Sequence, residues 1–146
     1  MALSFSEEFS NILKEIKSGA ANSTNWLVLA EEPKGTVSLI GKGTGGYDEF
    51  IATVVKPDHV CFGVLRIFGV DDVNSRRTKL IMVTWMGDKV TNMKKARVSQ
   101  IKPDFLKFFA GCHVEVLAEA ADDLNKAALE KKLNAATGAH KPTGYE

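Results

Sequence analysis

The side chains here that could do chemistry are three histidines, two cysteines, several pairs of adjacent carboxylates and one glycine-rich turn. Their spacing argues against each kind of chemistry. His59 and His113 each open a strand-like segment, and His140 lies near the C-terminus, so no pair has the spacing of metal ligands or of a base beside a nucleophile. Cys61 and Cys112 sit in the apolar contexts VCFGV and GCHVEV without a second cysteine nearby. That pattern predicts buried free thiols in a reducing compartment. The pairs Glu7–Glu8, Glu31–Glu32, Asp71–Asp72 and Asp122–Asp123 fall at helix starts or turns, where capping and solvation account for them. The run GKGTGG at 41–46 invites a phosphate-loop reading, but a P-loop requires Gly, four residues and then Gly-Lys-Ser/Thr, and here Lys42 is followed by Gly43. No catalytic site, metal or cofactor is expected.

Charge is the informative feature. Residues 75–107 carry nine Lys and Arg against two Asp, whereas 1–74 carry six against ten and 108–146 four against six, so a nearly neutral chain is strongly polarised. Arg76, Arg77 and Lys79 precede the apolar run Leu80–Met86, and Lys94, Lys95 and Arg97 follow it. Such separation suits a docking surface, although solvated helix and loop faces would give the same pattern. The region lacks exposed aromatics between its cations, and the sequence pI is only 7.8, so nucleic acid is not an expected partner.

These cations need elements to hold them. Residues 4–18 have helical periodicity, with Ser4 and Glu7 as a capping box and Gly19 as the stop. Segments 26–31 and 36–42 form a hairpin around Pro33 and Gly35, and 47–55 a short helix with Phe50, Ile51 and Val54 inward. Segments 59–69 and 79–86 are apolar on both faces and form a central antiparallel pair, whose projecting turn carries Asp71, Asp72, Arg76 and Arg77. A long helix follows over 90–109, with Met93, Ala96, Ile101, Phe105, Leu106 and Phe109 inward, Lys94, Lys95, Arg97 and Lys102 outward, and a kink or break expected at Pro103. Segment 113–117 is an edge strand. Asp122 or Asp123 then caps a last helix running to Leu133, with Lys131 and Lys132 in its final turn.

The order predicts an α+β protein of three α/β/α layers, with a central mixed five-stranded sheet covered by helices on both faces. Residues 1–134 form a single domain and 135–146 a flexible tail. At 146 residues the chain can bury about two-thirds of its unfolded surface. The first twenty residues carry acidic positions and no apolar block, unlike a secretory leader, and no apolar run approaches membrane-spanning length.

The segment SRRTKLIMVTWMGDKVTNMKKA resembles the signature of the coactosin family, within the actin-depolymerising-factor homology (ADF/cofilin-like) fold. Its elements here are Ser75, Arg76, Arg77, Lys79, Thr84, Trp85, Gly87, Asp88 and Lys94, joined by Asn25-Trp26, the glycine turn at 41–46 and the closing AALEKKL. The resemblance implies a cytoplasmic, monomeric, non-enzymatic protein that binds the sides of actin filaments. It implies two contact surfaces: the long helix, with Lys94, Lys95 and Arg97, and the projecting hairpin, with Arg76, Arg77 and Lys79 beside Lys131 and Lys132 of the last helix. Lys79 takes the place of the main filament contact. Ala96 stands where cofilins carry a second basic residue, which implies weak or no monomer binding, and the resemblance to coactosins implies filament binding without severing. A severing, depolymerising cofilin-like protein is the alternative within the family. Outside it, the same basic face could serve a phosphoinositide (anionic lipid) or RNA-binding module.

Overall fold

The computed structural model describes residues 3–20, 23–32, 35–70, 76–136 and 144–145, with the backbone alone for Val70, Arg76, Arg77, Gly144 and Tyr145. In chain order the elements are α1 (Glu7–Ser18), β1 (Trp26–Glu32), β2 (Thr36–Gly43), α2 (Tyr47–Val54), β3 (Val60–Val70), β4 (Arg76–Met86), α3 (Asn92–Phe108), β5 (Val114–Ala118), α4 (Lys126–Ala136) and a two-residue β6 (Gly144–Tyr145). The sheet order is β2-β1-β3-β4-β5. Neighbours are antiparallel except β4 and β5, which run parallel, so the sheet is mixed as expected. β6 adds a sixth strand by pairing with the end of β3.

Alternation along the strands sends side chains to two cores. On one face α1 and α3 bury Phe9, Ile12, Leu13, Ile16, Val98, Ile101 and Phe105 against Leu27, Leu29, Phe62, Val64, Leu80 and Met82. On the other, α2 and α4 bury Phe50, Val54, Leu129 and Leu133 against Val28, Leu65, Ile81, Val83 and Trp85. The Phe62 and Phe105 rings stack at 3.9 Å, joining the centre of β3 to α3. Arg66, 5% exposed, donates from Nη1 to the Ile16 carbonyl at 2.9 Å and to Ser23 Oγ at 3.0 Å, which fastens the end of α1 to β3.

Several local details differ from the sequence reading. Ser6, not Ser4, caps α1, its Oγ accepting the Glu8 N–H at 3.2 Å. Ser4 is held extended by donating its N–H to the Gly35 carbonyl and bridging to Thr36. Gly19 does end α1, in the left-handed region at φ 68°. Pro103 does not break α3, which runs unbroken from 92 to 108. Pro103 and Ser99 are both exposed, so water can take the carbonyl that loses its N–H partner. Asn125, rather than an aspartate, caps α4, its Oδ1 accepting the Ala128 N–H at 2.8 Å. Asp122 and Asp123 lie in a preceding 3-10 turn. β4 begins at Arg76, so Arg76 and Arg77 belong to the strand and not to the turn; Asp71, Asp72 and Ser75 lie outside the described residues.

The buried positions of α3 are Val98, Ile101 and Phe105, with Phe109 just beyond its end. Met93, Ala96 and Leu106 therefore face solvent instead of the core, Met93 at 84% exposure. The helix is apolar on both sides, so periodicity could not choose which side faces in.

Candidate functional site

The β3–β4 hairpin pairs over its whole length, from Val60 with Met86 to Val70 with Arg76. It outruns both neighbours at the Arg76 end. β1 pairs only with Phe62–Leu65 and β5 only with Ile81–Trp85. Arg76 and Arg77 lie on this projecting arm opposite Val70 and Gly69, and Lys79 lies opposite Ile67. Lys79 alternates with Leu80, which places it on the α2/α4 face with Ile67 and Ile81. α4 packs on that face and presents Lys131 and Lys132 to solvent.

Lys94 and Lys95 are elsewhere. Thr91 caps α3 through its Oγ1, which accepts the Lys94 N–H at 3.3 Å, and the first turn carries no acidic residue. This turn follows the far end of β4, roughly 30 Å along the strand from Arg76. The basic positions thus form two separate surfaces, not one continuous face. Exposed Met93 sits between Thr91 and Lys94 on the second of them.

Two cations expected to point outward have partners. Arg97 donates from Nε and Nη2 to the Glu31 carboxylate, at 3.0 and 2.5 Å to Oε2, and from Nη1 to Gln100 Oε1. The Glu31 bonds raise the guanidinium pKa further. Lys102 pairs with Glu115 of β5 at 2.5 Å. Beside the first pair, where β1 and β3 part after Leu29 and Phe62, lies a cavity of about 320 Å³ whose lining includes His59, Cys61, Lys94 and Ile101. It brings no metal-binding group together, and no such cluster occurs among the described residues. Burial pushes the Cys61 thiol up to about 12 and the Cys112 thiol to about 11, so neither is a ready nucleophile.

Two of the signature residues, Trp85 and Gly87, are architectural. Trp85 Nε1 donates to the Lys56 carbonyl at 2.8 Å, and Gly87 lies so close to residues 56–57 that a Cβ would come within 2.1 Å of the Pro57 oxygen. The Trp-x-Gly-Asp motif therefore locks the connection from α2 to β3 under the end of β4. In the glycine turn, Glu49 Oε1 accepts both the Gly45 N–H and Trp26 Nε1, each at 2.9 Å. Asn25 accepts the Gly46 N–H and donates to the Thr44 carbonyl. A carboxylate of this chain, held below its ordinary pKa by those donors, occupies the place a phosphate would need.

No helix among the described residues is long and apolar enough to cross a membrane. The family model for the cofilin/tropomyosin-type actin-binding protein matches residues 2–134. A coactosin of Dictyostelium discoideum is 34% identical over 119 residues, which span 82% of this chain and 81% of that protein. A drebrin-like protein of Mus musculus is 25% identical over 80% of this chain but only 26% of its own length. Among solved structures, coactosin from Entamoeba histolytica superposes with a TM-score of 0.80 at 23% identity, covering 89% of this chain and 94% of that one. Human coactosin-like protein gives 0.78 at 20% identity, covering 99% and 97%. The chain therefore belongs to the cofilin/tropomyosin-type family of actin-binding proteins, a family of non-enzymatic regulators.

Proposed function

We propose that this protein is a cytoplasmic regulator of the actin cytoskeleton that binds the sides of filaments in the coactosin manner, with weak or no affinity for monomers and without severing. The observation carrying this reading is the division of the basic positions between the two ends of the hairpin. Lys94 and Lys95 stand at the start of α3, and Arg76, Arg77 and Lys79 on the arm, Lys79 on the sheet face that α4, with Lys131 and Lys132, packs on. Two surfaces so far apart suit a polymer that offers two subunits, because the second contact becomes intramolecular once the first has formed. Arg97 acts at the α3 surface chiefly by holding the first part of α3 to β1 through Glu31.

Lys and Arg steer encounter with an acidic partner and fix its register more than they add affinity. Binding should weaken as salt rises, since exposed charges are screened over about 8 Å at physiological ionic strength. The deciding experiment is high-speed co-sedimentation with actin filaments, comparing wild type, Lys79→Ala and Lys56→Ala, the last an exposed lysine outside the basic region 75–107. Wild type and Lys56→Ala should pellet while Lys79→Ala stays largely soluble. If all three pellet alike, the arm is not the contact. If none pellets, an anionic lipid becomes the partner to test, by vesicle flotation. Seeded polymerisation should show no gain in filament ends; a gain would favour the severing alternative.

A further inference from the structure

We infer that Gly144 and Tyr145 form a positioning strand for the filament-binding arm, an inference that rests on the proposed filament binding. The arm is the part of the hairpin beyond both neighbouring strands. On its β3 side β1 stops at the pairing of Trp26 with Leu65, followed by one bond from the Arg66 N–H to the Asn25 carbonyl. On its β4 side β5 stops at Val114 with Ile81, followed by the bond from the His113 N–H to the Leu80 carbonyl. Among the described strands, residues 67–70 and 76–79 therefore pair with each other and, beyond that, with β6. β6 pairs Tyr145 with Gly69 and Gly144 with Val70, taking the lane that β1 leaves empty.

A two-stranded ribbon is marginal in water, and a third strand is what commonly makes such an extension independently stable. β6 supplies that strand on the two residues, Gly69 and Val70, that pair across the hairpin with Arg77 and Arg76. The strand also closes a covalent path. α4 carries Lys131 and Lys132 and ends at Ala136, and the chain returns from there to the arm at Gly144. The two parts of the arm-side surface, strand and helix, are thus tied by the same C-terminal segment. An arm ordered before it meets the filament has less freedom to lose on binding, so its affinity is higher than that of a loose ribbon with the same charges.

The test uses the full chain with Gly144→Pro/Tyr145→Pro, which removes both N–H donors of β6, against Gly144→Ala/Tyr145→Thr, which keeps them and favours a strand. Hydrogen exchange read residue by residue needs no actin. In the proline variant the amides of 67–70 and 76–79 should exchange about tenfold faster while β1 and the centre of β4 stay unchanged, the mark of a local opening. Filament affinity should fall about three- to tenfold in that variant, the scale of changes that act without touching the ligand. The alanine/threonine variant should match wild type in both measurements. Unchanged exchange, unchanged affinity or tighter binding would each overturn the inference, the last by making β6 a segment that covers the surface. If wild type itself fails to pellet, the filament reading falls while exchange still decides the pairing.

Discussion

Arg97 and Glu31, 66 residues apart in sequence, form a forked pair that fastens the start of α3 to the end of β1. Both Nε and Nη2 reach the same carboxylate, a geometry that fixes orientation as well as proximity. If Arg97 serves the filament by positioning α3, then Glu31→Ala and Arg97→Ala should weaken co-sedimentation by the same small factor, about threefold or less, as befits a partly exposed pair. A loss confined to Arg97→Ala would make its guanidinium a direct contact.

Met93 is 84% exposed at the first turn of α3, with Lys94 and Lys95 next to it. An apolar side chain kept in water at a basic surface is a natural anchor, because burial against a partner supplies affinity that rim charges do not. Met93→Asp should lower filament affinity at least about tenfold, as expected for a buried interface anchor, with the urea midpoint unchanged. Binding equal to wild type would remove the α3 start from the interface.

Phe105 is fully buried and stacks on Phe62 at 3.9 Å. Phe105→Ala should cost about 3–5 kcal/mol of stability, the usual penalty for emptying an aromatic site in a packed core. Equilibrium urea unfolding measures it. A cost below about 1 kcal/mol would mean that the α1/α3 layer collapses freely into the space.

His113 accepts the Leu80 N–H on Nδ1 at 3.1 Å. Burial, and secondarily Lys79, hold its pKa below the ordinary 6.5. In the window below 6.5 the unfolded chain binds the proton and the folded chain does not, so stability is full above 6.5 and declines as pH falls through that window. The urea midpoint should drop between about pH 7 and pH 5, and His113→Asn should flatten the part of the drop that this group causes. An identical pH profile in the variant would assign the drop to carboxylates.

Gly87 has no room for a side chain, since a Cβ would press on the Pro57 carbonyl. Gly87→Ala should destabilise by about 1–3 kcal/mol, the range for overpacking a rigid site. It should leave filament affinity unchanged under conditions where the variant is folded. Weakened binding by a folded variant would show that the signature glycine does more than hold residues 56–59 in place.

Much of this molecule was legible in the chain itself. The strands at 26–32, 36–43 and 60–70 follow from short apolar runs between glycine and proline breaks, and α1 from one clean apolar stripe ending at Gly19. α3 was harder, because Met93, Ala96 and Leu106 continue the apolar pattern of Val98, Ile101 and Phe105 around the helix. Only the sheet beneath α3 selects the second set. The tail offered no periodicity at all, and the pairing of Tyr145 with Gly69 depends on a stretch of β3 that β1 does not reach.

The sequence by itself determined the element order, the mixed sheet with helices on both faces, and the concentration of positive charge between residues 75 and 107. Each rests on periodicity or composition within a few neighbouring residues. The tertiary structure decided which of those charges are available. It placed Lys79 on the face that α4 shares, left Lys94 exposed, and paired Arg97 with Glu31 and Lys102 with Glu115. The physical reason is that a charge is neutralised by whatever folds against it, and its partner can lie anywhere along the chain.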